Sequence, residues 1–167
     1  MIHIRFANIN DLPFIVKIYN QAIKSKKATA DIHPFKLEQR IDWFNEFDKN
    51  NYPIYIAEFK NKVVGYATLS PYRTGRNALN KVAEISFYLD YNSLKQGIGS
   101  ALVKHIVADC SRVNKETLLA ILLNVNTPSI KLLKKFNFEE WGNLPLRSDF
   151  NGKRYNHLIY GLNLKDD

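Results

Sequence analysis

The run TLLAILL, residues 117–123, restricts the fold more than any other segment, because seven consecutive positions carry no charged side chain. A strand with one face in solvent alternates apolar and polar side chains, whereas an unbroken apolar run is typical of a strand covered on both faces. The sequence therefore predicts a sheet with helices packed on both sides. A chain of 167 residues with 46% hydrophobic residues is large enough to form such a core.

Other segments have the composition of strands, being rich in β-branched and aromatic residues between turn signals. They are residues 3–6 (HIRF), a hairpin of YIAEF and VVGYATLS joined at Asn61-Lys62, VAEISFYL at 82–89, and two late extended segments at 139–141 and 155–164. The polar segment PYRTGRNALNK between two of these strands is expected to be a functional loop. No repeat or linker is visible, so one α+β domain over residues 1–167 is predicted.

Four segments have the apolar spacing of amphipathic helices. They cover residues 10–23, 36–49, a stretch from the glycines at 97 and 99 to about 112, and 127–137. The last of these begins with Asn126 or Thr127 as its cap and Pro128 in its first turn. Asn137 is expected to end it in the left-handed conformation.

Composition narrows the function classes only partly. The net charge of +8 favours an anionic partner, although basic residues spread for solubility explain it equally well. These residues form no single tract and no RNA- or DNA-binding motif, so no nucleic-acid partner is expected. The single cysteine, Cys110, is expected to be buried, and the four histidines lack metal-ligand spacing, so no metal is assigned. The start of the chain lacks signal-peptide features and no apolar run suits a membrane, so a cytoplasmic location is expected.

The segment SLKQGIGSALVKHIV, residues 93–107, places Gly97 and Gly99 between a strand and a helix. Backbone N–H groups at such a turn approach ligands closely, and the helix dipole favours an anion there. Leu102 occupies the third glycine position of a dinucleotide fingerprint, and no Gly-Lys-Ser/Thr of a P-loop follows. The pattern alone leaves an anion site and a simple tight turn both open.

LKQGIGSAL resembles the [Q/R]-x-x-G-x-[G/A] acetyl-CoA loop of the GNAT superfamily of N-acetyltransferases. NVNTPSIKLLKKFNF is similar to its N-x-x-[A/S]-x-x-L-Y-x-x-x-G-F segment, with Asn126, Ser129, Leu132 and Phe138 in register. The order of segments over nearly the whole chain resembles the phosphinothricin and methionine-sulfoximine acetyltransferase branch. Three positions depart from the family: Leu94 replaces Gln or Arg, Asn137 replaces a glycine, and Leu133 replaces a tyrosine acid.

The resemblance implies a mixed, mostly antiparallel twisted sheet of about seven strands, acetyl-CoA as cosubstrate, and a homodimer. It implies that the backbone of one strand pairs with the pantetheine arm, that the glycine turn holds the pyrophosphate, and that Asn126 contacts the pantetheine. The cofactor-binding residues are then Phe87, Tyr88, Leu89, Lys95, Gln96, Gly97, Ile98, Gly99, Ser100, Asn126 and Ser129. For Lys131, Lys134 and Lys135 a solvated helix face is favoured over phosphate contact.

Glu84 matches the family's glutamate and is the predicted general base, acting directly or through one water. The alternative is a strand-edge glutamate in solvent or paired with an arginine. A backbone N–H near Tyr88 or Leu89 is expected to stabilise the oxyanion. An ordinary thiol has a pKa of about 8.5, so its thiolate leaves without a strong acid. Tyr88 or Tyr160 is the alternative acid.

The resemblance implies a small amino acid-like amine as acceptor. Its predicted contacts are Tyr72, Arg73, Arg76 and Tyr155, with Phe35 as a further apolar wall, since an arginine fork matches carboxylate and phosphinate groups. A solvated loop remains the alternative for both arginines. Three other functions stay open: a peptide or protein N-acetyltransferase, a nucleic-acid-binding module, and an acyl-CoA sensor without turnover.

Overall fold

A seven-stranded sheet with the order β1-β2-β3-β4-β5-β7-β6 forms the centre of the molecule. The computed structural model describes residues 1–165, so the last two positions of the predicted domain lie outside the described residues. Among the described strands only β4 and β5 pair in parallel, and the other neighbours are antiparallel. The strands are β1 (Ile2–Phe6), β2 (Ile54–Phe59), β3 (Lys62–Pro71), β4 (Val82–Leu89), β5 (Thr117–Leu123), β6 (Glu139–Phe150) and β7 (Lys153–Asn163).

Apolar clusters cover both faces of this sheet, which confirms the expectation drawn from TLLAILL. The helices are α1 (Leu12–Ser25), α2 (Ile41–Asn45), α3 (Ile98–Asp109) and α4 (Thr127–Lys135). On one face, Leu102 and Ile106 of α3 and Leu133 of α4 pack against the sheet. On the other face, Ile15 and Ile23 of α1 pack against β2 and β3. Among the described residues no helix is long and apolar enough to cross a membrane.

Two predicted elements near the N-terminus differ from the structure. The helix predicted over residues 36–49 is a 3-10 turn at Leu37–Arg40 followed by the short α2. It ends early because the chain reverses where Asp48 and Tyr52 exchange backbone hydrogen bonds of 3.0 Å. The β2–β3 turn is centred on Lys60 and Asn61, both at positive φ, one residue before the predicted pair.

The late hairpin is far longer than predicted. β6 runs over Glu139–Phe150 instead of residues 139–141, and two register shifts interrupt its pairing with β7. Those bulges, one beside Pro145, break the alternation that would have revealed a strand. The hairpin closes at Asn151 and Gly152, whose φ values are 55° and 95°. This Asn-Gly pair is a strong hairpin signal that the sequence reading missed.

Candidate active site

The site is built around a gap between β4 and β5. These parallel strands pair at three positions, Val82 with Thr117, Ala83 with Leu118, and Glu84 with Leu119. Beyond Glu84 each strand continues without pairing to the other, β4 to Leu89 and β5 to Leu123. The backbone N–H and C=O groups on that edge of β4 are therefore free to bind an extended ligand.

A cavity of about 560 Å³ opens at the wide end of this gap. Its walls come from β4, from the turn before α3, from the start of α4, and from the segment after α1. Ten of the eleven residues predicted to bind the cofactor line it, and Gln96 does not. The ten are Phe87, Tyr88, Leu89, Lys95, Gly97, Ile98, Gly99, Ser100, Asn126 and Ser129. Sequence reasoning missed Lys27, Ala28, Tyr91 and Leu132 in the same wall.

The turn before α3 has the conformation of an anion cradle. Lys95 and Gly97 have φ values of 62° and 79°, and α3 begins directly afterwards. The first helical hydrogen bond runs from the Ala101 N–H to the Gly97 carbonyl at 3.0 Å. The N–H groups of the intervening residues therefore lack a carbonyl from within the helix, and the dipole adds positive potential there. The Lys135 ammonium donates to Ser100 Oγ at 3.4 Å and brings a further cation to this end.

The two glycines serve different purposes. A Cβ at Gly97 would meet no atom within 4 Å, so this glycine is needed for its positive φ. A Cβ at Gly99 would lie 2.9 Å from Leu132 Cδ2, so this glycine permits α3 and α4 to pack closely. The side-chain oxygen of Asn126 accepts from the Ser129 N–H at 3.4 Å and caps α4. Cradle, polar cap and apolar walls together fit a long ligand with an anionic end.

Glu84 lies beside a second cavity of about 260 Å³, on the face of the sheet covered by α1. Tyr88, Ser86, Thr29 and Tyr19 share this cavity. Burial raises the pKa of the Glu84 carboxyl above its ordinary value. Within residues 1–165 no cationic nitrogen lies within 4 Å of that carboxylate. Glu84 is thus neither freely solvated nor paired with an arginine, and it is suited to accept a proton.

Two tyrosines were predicted as alternative acids, and the structure separates them. The Tyr88 ring packs edge-on against Tyr19, with centroids 4.9 Å apart, and burial raises the pKa of Tyr88. Tyr88 lines both the large cavity and the Glu84 cavity. The Tyr160 hydroxyl instead donates to Glu140 at 3.4 Å, and Tyr160 is not among the described residues that line the cavities around the gap. Leu133 lines a small cavity at the gap together with Ile85 and Ala120.

His157 lines the Glu84 cavity, a placement that sequence reasoning missed. It lies opposite Leu123 in the β5–β7 register, and directly opposed residues point to the same face of a sheet. No local sequence signal indicated this position, because it depends on the order β4-β5-β7. Within residues 1–165 no three His, Cys, Asp or Glu side chains are grouped as metal ligands.

The four predicted acceptor contacts are not brought to Glu84 within one chain. Arg73 lines a separate cavity with Lys115, because the loop after β3 turns towards the α3–β5 connection. Arg76 is exposed and begins a short 3-10 turn. The Tyr155 ring packs against Phe150, with centroids 5.7 Å apart. Tyr72 lines none of the cavities around the gap.

A gap between parallel strands and an anion cradle at the following helix define an acyl-CoA-dependent acyltransferase. Residues 15–138 match the acetyltransferase (GNAT) family, and the chain belongs to that family. It is accordingly an enzyme, an acyl-CoA-dependent N-acetyltransferase that uses acetyl-CoA, as the resemblance of its two motifs to this family implied.

Relatives cover nearly the whole chain. YwnH of Bacillus subtilis (strain 168), provisionally named as a phosphinothricin acetyltransferase, is 36% identical over 162 residues, which are 96% of this chain and 98% of the relative. An L-methionine sulfoximine/L-methionine sulfone acetyltransferase of Pseudomonas paraeruginosa is 29% identical over 85% of this chain and 83% of its own. The structure of a Sinorhizobium meliloti phosphinothricin acetyltransferase with acetyl-CoA aligns with a TM-score of 0.90 and 26% identity, covering 97% of this chain and 88% of that one. This alignment and the observed sheet confirm the predicted α+β fold with a mixed, mostly antiparallel sheet of about seven strands.

Proposed function

We propose that this enzyme acetylates the primary amine of a small amino acid-like acceptor of the phosphinothricin or methionine sulfoximine and sulfone type. The observation that carries the proposal is the cavity of about 260 Å³ beside Glu84, at the place where β4 and β5 separate. A cavity of that size fits a small molecule such as an amino acid. The names of the relatives support the same class of acceptor.

The acetyl-CoA site in this proposal is the large cavity. The exposed edge of β4 from Phe87 to Leu89 pairs with the pantetheine arm. The turn from Lys95 to Ser100 holds the pyrophosphate, with Lys135 and Lys27 as neighbouring cations. Asn126 and Ser129 form the polar wall on the α4 side, while Gln96 contributes through the turn's backbone.

Acetyl-CoA supplies the acetyl group as a thioester, whose carbon the acceptor nitrogen attacks. Glu84 takes the proton from the amine, directly or through one water. A backbone N–H at Tyr88 or Leu89 stabilises the charge on the carbonyl oxygen. The sulfur leaves as a thiolate. Because the corresponding thiol has a pKa of about 8.5, the reaction does not require an acidic side chain at the position of Leu133. The Tyr88 phenol, held neutral by its raised pKa, borders both cavities and is the proposed assisting donor.

The acceptor's remaining contacts are assigned to the Glu84 cavity. Tyr19 and Thr29 form a polar wall, since the Tyr19 hydroxyl bonds both Thr29 and Asp31. His157 lies in the same cavity and becomes a hydrogen-bond donor to the acceptor's acid group. This assignment replaces the contacts predicted for Tyr72, Arg73, Arg76 and Tyr155.

The proposal includes a cytoplasmic homodimer. β6 is an edge strand of the sheet, and it carries the exposed apolar residues Trp141, Leu144 and Leu146. Such a row is a surface that a second copy would cover. Light scattering should therefore give a mass near twice 19.4 kDa. The double variant Leu144→Lys, Leu146→Lys should have a lower mass, closer to that of one chain. A monomeric wild-type mass would contradict the dimer.

Thiol release from acetyl-CoA against a panel of amines tests the substrate class. The panel contains phosphinothricin, methionine sulfoximine, methionine sulfone, free amino acids and peptides with free N-termini. Turnover confined to the amino acid analogues is expected. Turnover on peptides alone would move the enzyme to the peptide or protein class, and the proposed acceptor would be wrong.

A further inference from the structure

Lys115 is a buried cation without a counter-charge. Its relative exposure is 6%, and its ammonium donates to Asn51 Oδ1 at 2.8 Å and to the Asn80 carbonyl at 2.9 Å. The nitrogen also lies 4.0 Å from the centre of the Tyr52 ring. These partners are neutral, and among the described residues no carboxylate oxygen lies within 4 Å of this nitrogen. Burying an uncompensated charge is costly, so a neighbouring anion would be favourable.

Lys115 also lines a cavity of about 330 Å³. Arg73 lines it as a second cation, and no salt bridge within residues 1–165 involves this arginine. Lys81 also lines the cavity, but its ammonium is held by Glu116 at 2.7 Å. Asn51, Asn80 and Asn114 line the same cavity.

We infer that this cavity is a binding site for a small oxyanion of the phosphate or carboxylate type. The Arg73 guanidinium presents a planar fork that matches two oxygens of such a group. The Lys115 ammonium has three protons, and the two bonds above use two of them, so the third has no oxygen acceptor among the described residues. The amide groups supply neutral donors around the remaining oxygens.

This site is separate from the two cavities of the acetyl-transfer reaction. It shares no lining residue with the Glu84 cavity or with the acetyl-CoA cavity. Val113, Asn114 and Lys115 follow the C-terminal end of α3, whereas the pyrophosphate cradle is at its N-terminal end. The loop that carries Arg73 leads into β4, so a bound oxyanion ties together three loops at the base of the strand that holds Glu84.

The test is calorimetric titration of the full chain saturated with coenzyme A, so that the pyrophosphate cradle is filled. Inorganic phosphate and succinate are titrated separately at constant ionic strength. Saturable binding of either probe is expected, and the probe that binds more tightly identifies the phosphate or the carboxylate source. Arg73→Gln should weaken that binding at least about tenfold, because it removes one charge-assisted contact. Lys104→Gln, an exposed lysine of α3 outside the cavity, is the matched control and should leave it unchanged.

Lys115→Met should abolish binding, and Arg73→Gln alone decides the question if that variant does not fold. Hydrogen exchange in residues 72–81 should slow when the probe binds to the wild-type chain. Absence of saturable binding for both probes would overturn the site. Equal weakening by Arg73→Gln and Lys104→Gln would also overturn it, because that result would mean that only the overall charge matters.

Discussion

Glu84 pairs with Leu119 at the last register position shared by β4 and β5, and the two strands separate directly beyond it. The proposed base therefore lies at the apex of the gap, with the acetyl-CoA cavity along the strands and the acceptor cavity on the α1 face. A base at the apex is positioned where a thioester carried along β4 and an amine from the other face meet.

Gly97→Ala should impair acetyl-CoA binding by distorting the cradle. The φ of 79° costs a residue with a Cβ about 1–2 kcal/mol. Gly75→Ala is a matched control, because Gly75 has a φ of 74° and also has no atom within 4 Å of an added Cβ. Both variants should lose similar free energy of unfolding in urea. Only Gly97→Ala should raise the KM for acetyl-CoA, and an equal KM change in both would contradict the cradle's role.

Tyr88→Phe and Tyr160→Phe should separate the two alternative acids. Tyr160→Phe should leave kcat unchanged, because its hydroxyl is directed to Glu140. Tyr88→Phe should lower kcat by no more than about tenfold, less than general acid catalysis usually contributes, because a thiolate leaves readily. Steady-state kinetics at saturating acetyl-CoA measure both. A larger loss in Tyr160→Phe than in Tyr88→Phe would reverse the assignment.

The Arg5–Asp11–Glu58 network should make the fold sensitive to acid. Arg5 donates to Asp11 at 2.7 and 2.8 Å and to Glu58 at 2.9 and 2.7 Å. Burial raises the pKa of Asp11, but hydrogen bonds from Arg5 and from the Asn8 N–H outweigh it and leave the pKa below its ordinary value. Arg5 likewise lowers the pKa of Glu58.

A lowered folded-state pKa means that these carboxylates stabilise the fold above their unfolded value and lose that effect as pH falls through the folded value. Arg5→Met should therefore cost roughly 1.5–3 kcal/mol at pH 7, as expected for hydrogen bonds to charged groups. The difference from wild type should shrink as the pH falls below about 4, near the ordinary carboxyl pKa values. Urea unfolding at several pH values measures it, and a pH-independent difference would contradict the ionic origin.

Gly161→Ala should displace Trp141, because an added Cβ would overlap the indole ring that packs on this glycine. Overpacking of this kind costs about 1–3 kcal/mol. In a Trp43→Phe background, Trp141 is the remaining tryptophan, and its emission spectrum should change as the ring leaves its contact with Gly161. The same glycine substitution should cost much less when Trp141→Ala is also present. An unchanged cost in the double variant would refute the contact.

The sequence predicted the elements that have strong local signals. TLLAILL and VAEISFYL have the same bounds in the structure as in the prediction, and the glycine turn begins α3 as expected. β6 was shortened in the prediction because its bulges break the alternation. α2 was overestimated because the local turn at Asp48–Tyr52, in which Asp48 Oδ1 accepts from the Asn50 N–H, was not recognised.

The candidate site likewise contains residues that a contiguous motif indicates and residues that only the fold brings together. Residues on β4, on the turn before α3 and on α4 were assigned from contiguous motifs, and ten of them line one cavity. His157 was missed because it reaches the Glu84 cavity only through the β5–β7 pairing. Arg73 was placed with the acceptor because its type suits a carboxylate, but the loop carries it to Lys115.

The pH dependence of kcat/KM for Glu84→Gln against wild type, with phosphinothricin or methionine sulfoximine as acceptor, tests the central claim most directly. Because burial raises the pKa of Glu84, wild-type kcat/KM should fall as the pH drops through that value and protonates the base. The raised pKa also means that ionised Glu84 is unfavourable to the fold, so stability is lost as the pH rises through it and Glu84→Gln should be at least as stable at neutral pH.

Glu84→Gln should lower kcat/KM by about 100-fold or more and remove the acidic limb of the profile. Glu38→Gln, at an exposed position, should leave both unchanged. A Glu84→Gln enzyme with turnover within about threefold of wild type, far less than a general base contributes, would contradict the account. An unchanged acidic limb in that variant would contradict it as well.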